Sequence, residues 1–223
     1  MVNLEYHKIN TIFKRDLKGK ILYGEWSRPE FEYLKDLPWR ATEKIDGTNI
    51  RVIWDGKTIT YGGKTDKADP LQPQLLARLN ELFGGKEELF TELFKDAPVT
   101  LFGEGYGNRI QAVGKRYIPD NNDFVLFDIN IGGWWLRDED LMELANKLCV
   151  RTVPYFGLLT LIDALDLIEG IDLTSEISFD KSLPIEGFVL KPLVDLRARS
   201  GERIITKIKV KDLKERQDER RYN

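Results

Sequence analysis

The clearest pattern of apolar and polar positions lies at 49–61, where two strand-like runs flank Asp55-Gly56. Asp-Gly readily takes the positive φ angles of a two-residue type I′ turn, so a hairpin with strands at 49–54 and 57–61 is predicted. Farther on, Leu75, Leu76, Leu79 and Leu82 follow Pro70 and Pro73 at helical spacing, which predicts a helix to about residue 83 with those leucines on one side. Apolar runs at 99–103 and 124–130 predict buried strands, the first ending at Glu104; Gly132-Gly133 turns the second toward Trp134, Trp135 and Leu136. Asp138 is expected to cap a helix to about residue 148, and Thr160 a second one ending at Gly170. Strands at 187–191 and 203–210 complete the set. Residues 1–40 read as an irregular cover with one short helix: Ser27 as its cap, Pro29 in its first turn, Phe31 and Leu34 on its inner face. Strand runs interrupted by single helices predict an α+β chain with antiparallel sheets rather than a doubly wound parallel sheet.

Composition narrows the function classes. The 223 residues can bury a sizeable core, and without repeats or a Gly/Ser linker they read as one continuous domain. Thirty-four basic against 37 acidic residues give a net charge of −3, so any phosphate-binding surface has to be local, with Lys and Arg gathered on one face. One cysteine, Cys149, and one histidine, His7, exclude an intrachain disulfide and a multi-cysteine zinc site. Cys149 sits in an apolar helical stretch and is expected to be buried. The first twenty residues mix charged and apolar side chains without a cleavable apolar segment, and no run approaches membrane-spanning length. The expectation is an intracellular monomer without membrane contact.

Three segments carry the chemistry: Glu43-Lys44-Ile45-Asp46-Gly47-Thr48-Asn49, then Pro184-Ile185-Glu186-Gly187-Phe188-Val189-Leu190-Lys191, then Ile205-Thr206-Lys207-Ile208-Lys209. Lys44 lies just before a strand, where a nucleophile can be presented on a loop edge. An unperturbed lysine has a pKa of about 10.4 and is neutral roughly once in 2,500 at pH 7, so an attacking amine needs neighbouring cations or burial. Lys207 and Lys209, two apart on one strand, point to the same side of a sheet. They can press on Lys44 with like charge and neutralise phosphates. The plainer reading of each lysine is a solvated surface charge.

In their order and residues these segments resemble the covalent nucleotidyltransferase superfamily of ATP-dependent DNA ligases, RNA ligases and mRNA capping enzymes. The match is closest to ATP-dependent RNA ligases of the second phage type, whose first motif also continues Gly-Thr-Asn. The resemblance implies the nucleotidyltransferase, or ligase adenylation, fold: two antiparallel sheets flanking a nucleotide cleft. It implies that Lys44 attacks the α-phosphorus of ATP, releases pyrophosphate and holds AMP through a P–N bond. AMP would then pass to the 5′-phosphate of an RNA, and a 3′-hydroxyl would displace it to seal the backbone. The implied cofactors are ATP and Mg²⁺, with Mn²⁺ as an alternative, and Lys207 and Lys209 join Lys44 in the catalytic set.

The remaining roles follow from the same resemblance. Glu186 would hold metal-bound water, its plainer reading being an exposed turn carboxylate. Glu104 matches the glutamate that binds ribose hydroxyls, and Asn49 belongs to the nucleotide-binding first motif. Phe127 matches an aromatic that stacks on adenine, against the alternative of a buried strand phenylalanine. Its neighbour Asp128, polar within an apolar strand, needs a partner and is assigned to RNA handling. Glu43 and the backbone of Ile45 would read the adenine edge. Lys64 stands where the family has arginine, keeping charge for nucleotide and RNA phosphates but losing the bidentate fork.

Only fourteen residues follow Lys209. The expected organisation is therefore a cover at 1–40, a catalytic core at 41–210 and a charged, solvated tail at 211–223, with no C-terminal OB domain. DNA ligases and capping enzymes carry such a domain, so its absence together with Gly47-Thr48-Asn49 favours RNA. The rivals are an ATP-dependent DNA ligase, a capping-type nucleotidyltransferase, and an inactive RNA-binding module of the same fold.

Overall fold

The structure, a computed structural model, describes residues 4–65 and 70–213. In chain order the first half holds β1 (Asn10–Thr11), β2 (Phe13–Arg15), β3 (Ile21–Trp26), α1 (Pro29–Tyr33), β4 (Trp39–Glu43), β5 (Thr48–Trp54), β6 (Ile59–Gly62), α2 (Pro73–Phe83) and α3 (Glu87–Phe94). The second half holds β7 (Val99–Gly107), α4 (Gly114–Tyr117), β8 (Asn122–Ile131), β9 (Trp134–Trp135), α5 (Asp138–Leu148), β10 (Arg151–Thr152), β11 (Tyr155–Leu159), α6 (Leu161–Gly170), β12 (Gly187–Pro192) and β13 (Thr206–Lys209). The chain is α+β and forms two compact units. One comprises Asp46–Val153 with residues 4–7 and Ile177–Asp180; the other comprises Lys8–Ile45, Pro154–Glu176 and residues 181–213.

In the first unit, β6, β5, β7 and β8 pair antiparallel in that order, and β10 joins β8 in parallel. One sheet face packs Ile50, Val52, Leu101 and Leu126 against the apolar sides of α2, α3 and α5. The inner stripe of α2 is Leu75, Leu79 and Phe83, all fully buried, whereas Leu76 is exposed and Leu82 half-buried. The four leucines of the sequence pattern span too wide an arc for all to reach the core. Pro73 opens α2, and the Gln72 side chain accepts from the Leu75 amide. Helix α3 lies outside the predicted set; it buries Phe90 and Phe94.

The hairpin forms with a different turn. Gly56 has φ +96° while Asp55 does not enter positive φ, so the loop is four residues, 55–58. The Asp55 carboxylate accepts from the amides of Lys57 and Thr58, an arrangement that a two-residue type I′ turn lacks. A β-bulge falls at Phe127: Phe102 pairs with Asp128, yet the next residue, Gly103, pairs with Leu126. The extra residue lets Leu126 face the core while Asp128, two positions on, points to the opposite face.

In the second unit the sheet order is β1-β13-β12-β4-β11, antiparallel except for the β1–β13 pair. Trp39, Ala41, Phe188, Leu190 and Ile208 fill one face and pack with Phe31 and with Leu161, Leu165 and Ile168 of α6. Thr160 and Asp163 close a capping box at the start of α6.

Several expectations need correction. Residues 10–26 are not irregular: they supply β1 to the main sheet and the β2–β3 ribbon; β1 and β2 are two and three residues long, and β3 lacks alternating burial, so none leaves a period in the sequence. Ser27 does not cap α1; its hydroxyl donates to the Thr11 carbonyl and Arg28 takes the cap position without a side-chain bond. Asp138 is the first residue of α5, after Arg137. Cys149 is exposed, because it ends α5 with φ 57°, the left-handed C-cap conformation that usually falls to glycine. In the expected solvated tail, Asp212 and Leu213 are buried, Asp212 through an ion pair to Arg15 at 2.5 Å. The rest of that run, 214–223, lies outside the described residues.

Candidate functional site

Strand alternation sorts the predicted residues before any side-chain contact is considered. In the second unit, cross-strand register places Thr42 beside Val189, Val189 beside Lys207, and Gly187 beside Lys209, while the Lys44 amide donates to the Gly187 carbonyl. Lys44, Lys207 and Lys209 therefore share the sheet face opposite the apolar core. Glu186, one residue before β12, stands at the end of this face, its carbonyl bound by the Val210 amide.

The side chains converge on that carboxylate. Lys44 Nζ lies 2.5 Å from Glu186 Oε2, and Lys209 Nζ lies 2.6 Å from Glu186 Oε1. All three side chains are less than a quarter exposed. Like-charge pressure acts on Lys207. Burial first, then the ammonium groups of Lys209 and Lys44, lower its pKa to about 8. Gly187 is required between Glu186 and the strand: its φ is +155°, and a Cβ there would meet the Ile208 carbonyl oxygen at 1.9 Å.

Glu43 precedes Lys44 but lies on the opposite face. It is 1% exposed, and one oxygen accepts from the Glu176 amide at 3.3 Å. Burial raises its pKa to about 7, outweighing the hydrogen bonds from Ser175 and the Glu176 amide. Ile45 is buried and closes the first segment of the same unit.

The other predicted residues lie in the first unit. Asn49 pairs directly with Glu104, and Glu104 with Val125; one row along, Arg51 pairs with Phe102 and Phe102 with Asp128. Asn49, Glu104 and Asp128 thus occupy the sheet face turned away from the core. Asp128 is 1% exposed and accepts from the Tyr6 hydroxyl at 2.8 Å. Phe127, on the bulge, is half-buried with the Tyr6 ring edge-on at 5.0 Å. Lys64 is exposed beyond β6, where buried Arg51 donates from Nε to the Gly63 carbonyl at 2.7 Å.

Sequence reading missed Tyr6 and Arg51 as supports of this face. An aromatic four residues before strand β1 carries no periodic signal. Arg51, a cation inside an apolar strand beside Gly62-Gly63, was legible as a buried charge needing a close backbone partner.

A family model described as RNA ligase matches residues 37–209. Among solved structures the chain is similar to a substituted form of Naegleria gruberi RNA ligase without ligand, at 24% identity and a TM-score of 0.61, covering 85% of this chain and 54% of that one. It is also similar to a form of that ligase with ATP and Mn, at 22% identity and a TM-score of 0.64, covering 94% and 56%. A third form, with AMP and Mn, aligns at 23% identity and a TM-score of 0.60, covering 94% and 63%. The chain thus spans little more than half of the ligase it matches, and at these identities the likeness carries the fold. Comparison with curated proteins gives no match.

Proposed function

We propose, from the premise that this chain belongs to the RNA ligase family, that it is an ATP-dependent RNA ligase whose Lys44 carries AMP from ATP to RNA. One observation supports this reading above the others: inside the matched segment, one carboxylate, Glu186, engages both Lys44 and Lys209, with Lys207 on the same sheet face. That is a cationic sheet face, on which the motif position assigns the attack to Lys44.

In the first step a P–N bond forms between Lys44 Nζ and the α-phosphorus of ATP. The P–O bond to pyrophosphate breaks, and pyrophosphate leaves with the electron pair. An ammonium has no lone pair, so before attack the Lys44 proton must pass to water and the Lys44–Glu186 contact must open. Lys207 and Lys209 neutralise charge that grows on the phosphate oxygens. Magnesium or manganese adds charge neutralisation when bound, and Glu186 suits it as one carboxylate acting through water, since magnesium keeps several waters. Asn49, Glu104 and Phe127 receive the ribose and adenine, and the Ile45 backbone reads the base edge; Glu43, expected to share that task, faces the core and supports the strand from behind. AMP then moves to an RNA 5′-phosphate, with Asp128 and Lys64 handling the RNA, and a 3′-hydroxyl displaces AMP to close the strand. The chain acts as one adenylyltransferase, a monomer working inside the cell.

The test is incubation with ATP labelled at the α-phosphate and Mg²⁺ or Mn²⁺, then addition of a nicked RNA duplex bearing a 5′-phosphate and a 3′-hydroxyl. The expected result is a protein–AMP adduct on Lys44 that is discharged into sealed RNA. Absence of the adduct would leave only an RNA-binding module of this fold, and sealing confined to DNA would replace RNA as substrate.

A further inference from the structure

The sheet face that presents Lys44, Lys207 and Lys209 does not end with them. Two residues along each strand, register pairs Lys191 of β12 with Arg40 of β4, and Leu158 of β11 with the same Arg40. Alternation places Arg40 on the face of Thr42 and Lys44, and Lys191 on the face of Val189 and Gly187. Tyr155, paired with Thr42, shares that face, is exposed, and carries the Arg40 guanidinium over its ring at 4.3 Å from the centroid. A chain of net charge −3 thus gathers Lys44, Lys207, Lys209, Arg40 and Lys191 on one side of one sheet.

We propose that Arg40, Lys191 and Tyr155 form a binding site for the backbone and a base of single-stranded RNA, continuing the phosphate path away from Lys44. The inference rests on the ligase reading and extends it to the polynucleotide. Four residues of strand separate Arg40 from Lys44, on the order of 13 Å at about 3.3 Å per residue, a longer path than a nucleotide triphosphate tail covers. A strand of phosphates spans it, and cations alternating with an aromatic are what a single strand needs: phosphate neutralisation plus a ring on which any base can stack. Arg40 over the Tyr155 ring fixes both side chains before RNA arrives. The sequence hid the site, because Arg40, Tyr155 and Lys191 are far apart in the chain and meet only through register.

The experiment measures binding of a labelled single-stranded RNA oligonucleotide across a salt titration, alongside AMP loading from labelled ATP. For the double variant Arg40→Gln, Lys191→Gln, the slope of log affinity against log salt should flatten by about 1.4, from about 0.7 for each RNA phosphate no longer neutralised. Tyr155→Leu should weaken binding equally at every salt and leave the slope unchanged, since stacking releases no counterions. AMP loading by these folded variants, checked by circular dichroism, should stay near wild type. A wild-type slope and affinity in the double variant would overturn the site. A fall in AMP loading without a change in RNA binding would assign the residues to ATP and overturn it as well. Failure of the wild-type protein to load AMP would remove the ligase reading, while the salt slopes would still decide whether this face binds RNA.

Discussion

Lys44 Nζ and Glu186 Oε2 are 2.5 Å apart although 142 residues separate them in the chain. The other Glu186 oxygen is engaged by Lys209. The nucleophile candidate is therefore held as one end of a three-part ion bridge, and the same carboxylate that suits a hydrated metal is the one that Lys44 must leave. Variants at this point separate pairing from chemistry.

Lys44→Ala should abolish the protein–AMP adduct while leaving the fold intact, since the side chain is partly exposed and buries little apolar surface. Lys44→Arg should fail equally, because a guanidinium stays protonated and is a poor nucleophile. Adduct formation measured with labelled ATP, beside a thermal melt, checks both; an acid-labile adduct surviving in either variant would move the nucleophile elsewhere.

Lys207 gives the reaction a pH signature. Its pKa of about 8 means that raising pH through that value removes one positive charge from the phosphate path. Lys207→Arg keeps the charge. The ratio of variant to wild-type AMP loading should therefore climb between pH 7 and 9, and a ratio flat across that range would show that the charge of Lys207 does not matter.

Glu43 makes a stability prediction with a definite sign. Its folded pKa of about 7 exceeds the ordinary 4.5, so between these values the folded protein holds a proton that the unfolded chain has released. Wild-type stability should then fall as pH rises through this window, by roughly 3 kcal/mol in the limit, and Glu43→Gln should stay flat. Urea unfolding at pH 5 and pH 8 measures the divergence, with the variant the more stable at pH 8.

Two backbone positions test the local reading. Gly187→Ala should displace Glu186 and β13 together, because its Cβ would collide with the Ile208 carbonyl; loss of AMP loading with a lowered melting temperature is expected. Thr160→Ala removes the cap of α6 and should cost about 1 kcal/mol in urea unfolding, with AMP loading retained.

What the sequence disclosed follows the range of each signal. Helix α2 was legible from leucines at helical spacing after Pro73, and α5 and α6 from the polar residues Asp138 and Thr160 at their starts. The hairpin was legible from Asp55-Gly56, though its turn type was not, since Asp55 uses its carboxylate instead of a positive φ. Strands β10 and β11 have no comparable local mark; neighbouring strands and register define them. The same limit applies to the site. The motifs gave Lys44, Glu186, Lys207 and Lys209, but not that Glu186 would bridge two of them, nor that Asp128 would meet Tyr6, 122 positions earlier in the chain.

The parallel pairing of β1 with β13 sets an order of events during synthesis. The Thr206 hydroxyl reaches the Asn10 carbonyl across 196 residues, and Lys207 and Lys209 ride on that late strand. A ribosome adds about 5–20 residues per second, so Lys44 waits roughly ten to thirty seconds before those partners exist. Until then β4 lacks β12 and β13 on its open edge, and closing so long a loop is slow in itself. The nascent chain therefore carries Lys44 without Glu186, Lys207 or Lys209, and on the proposed ligase reading competence to load AMP arrives only as the strand bearing Lys207 and Lys209 emerges.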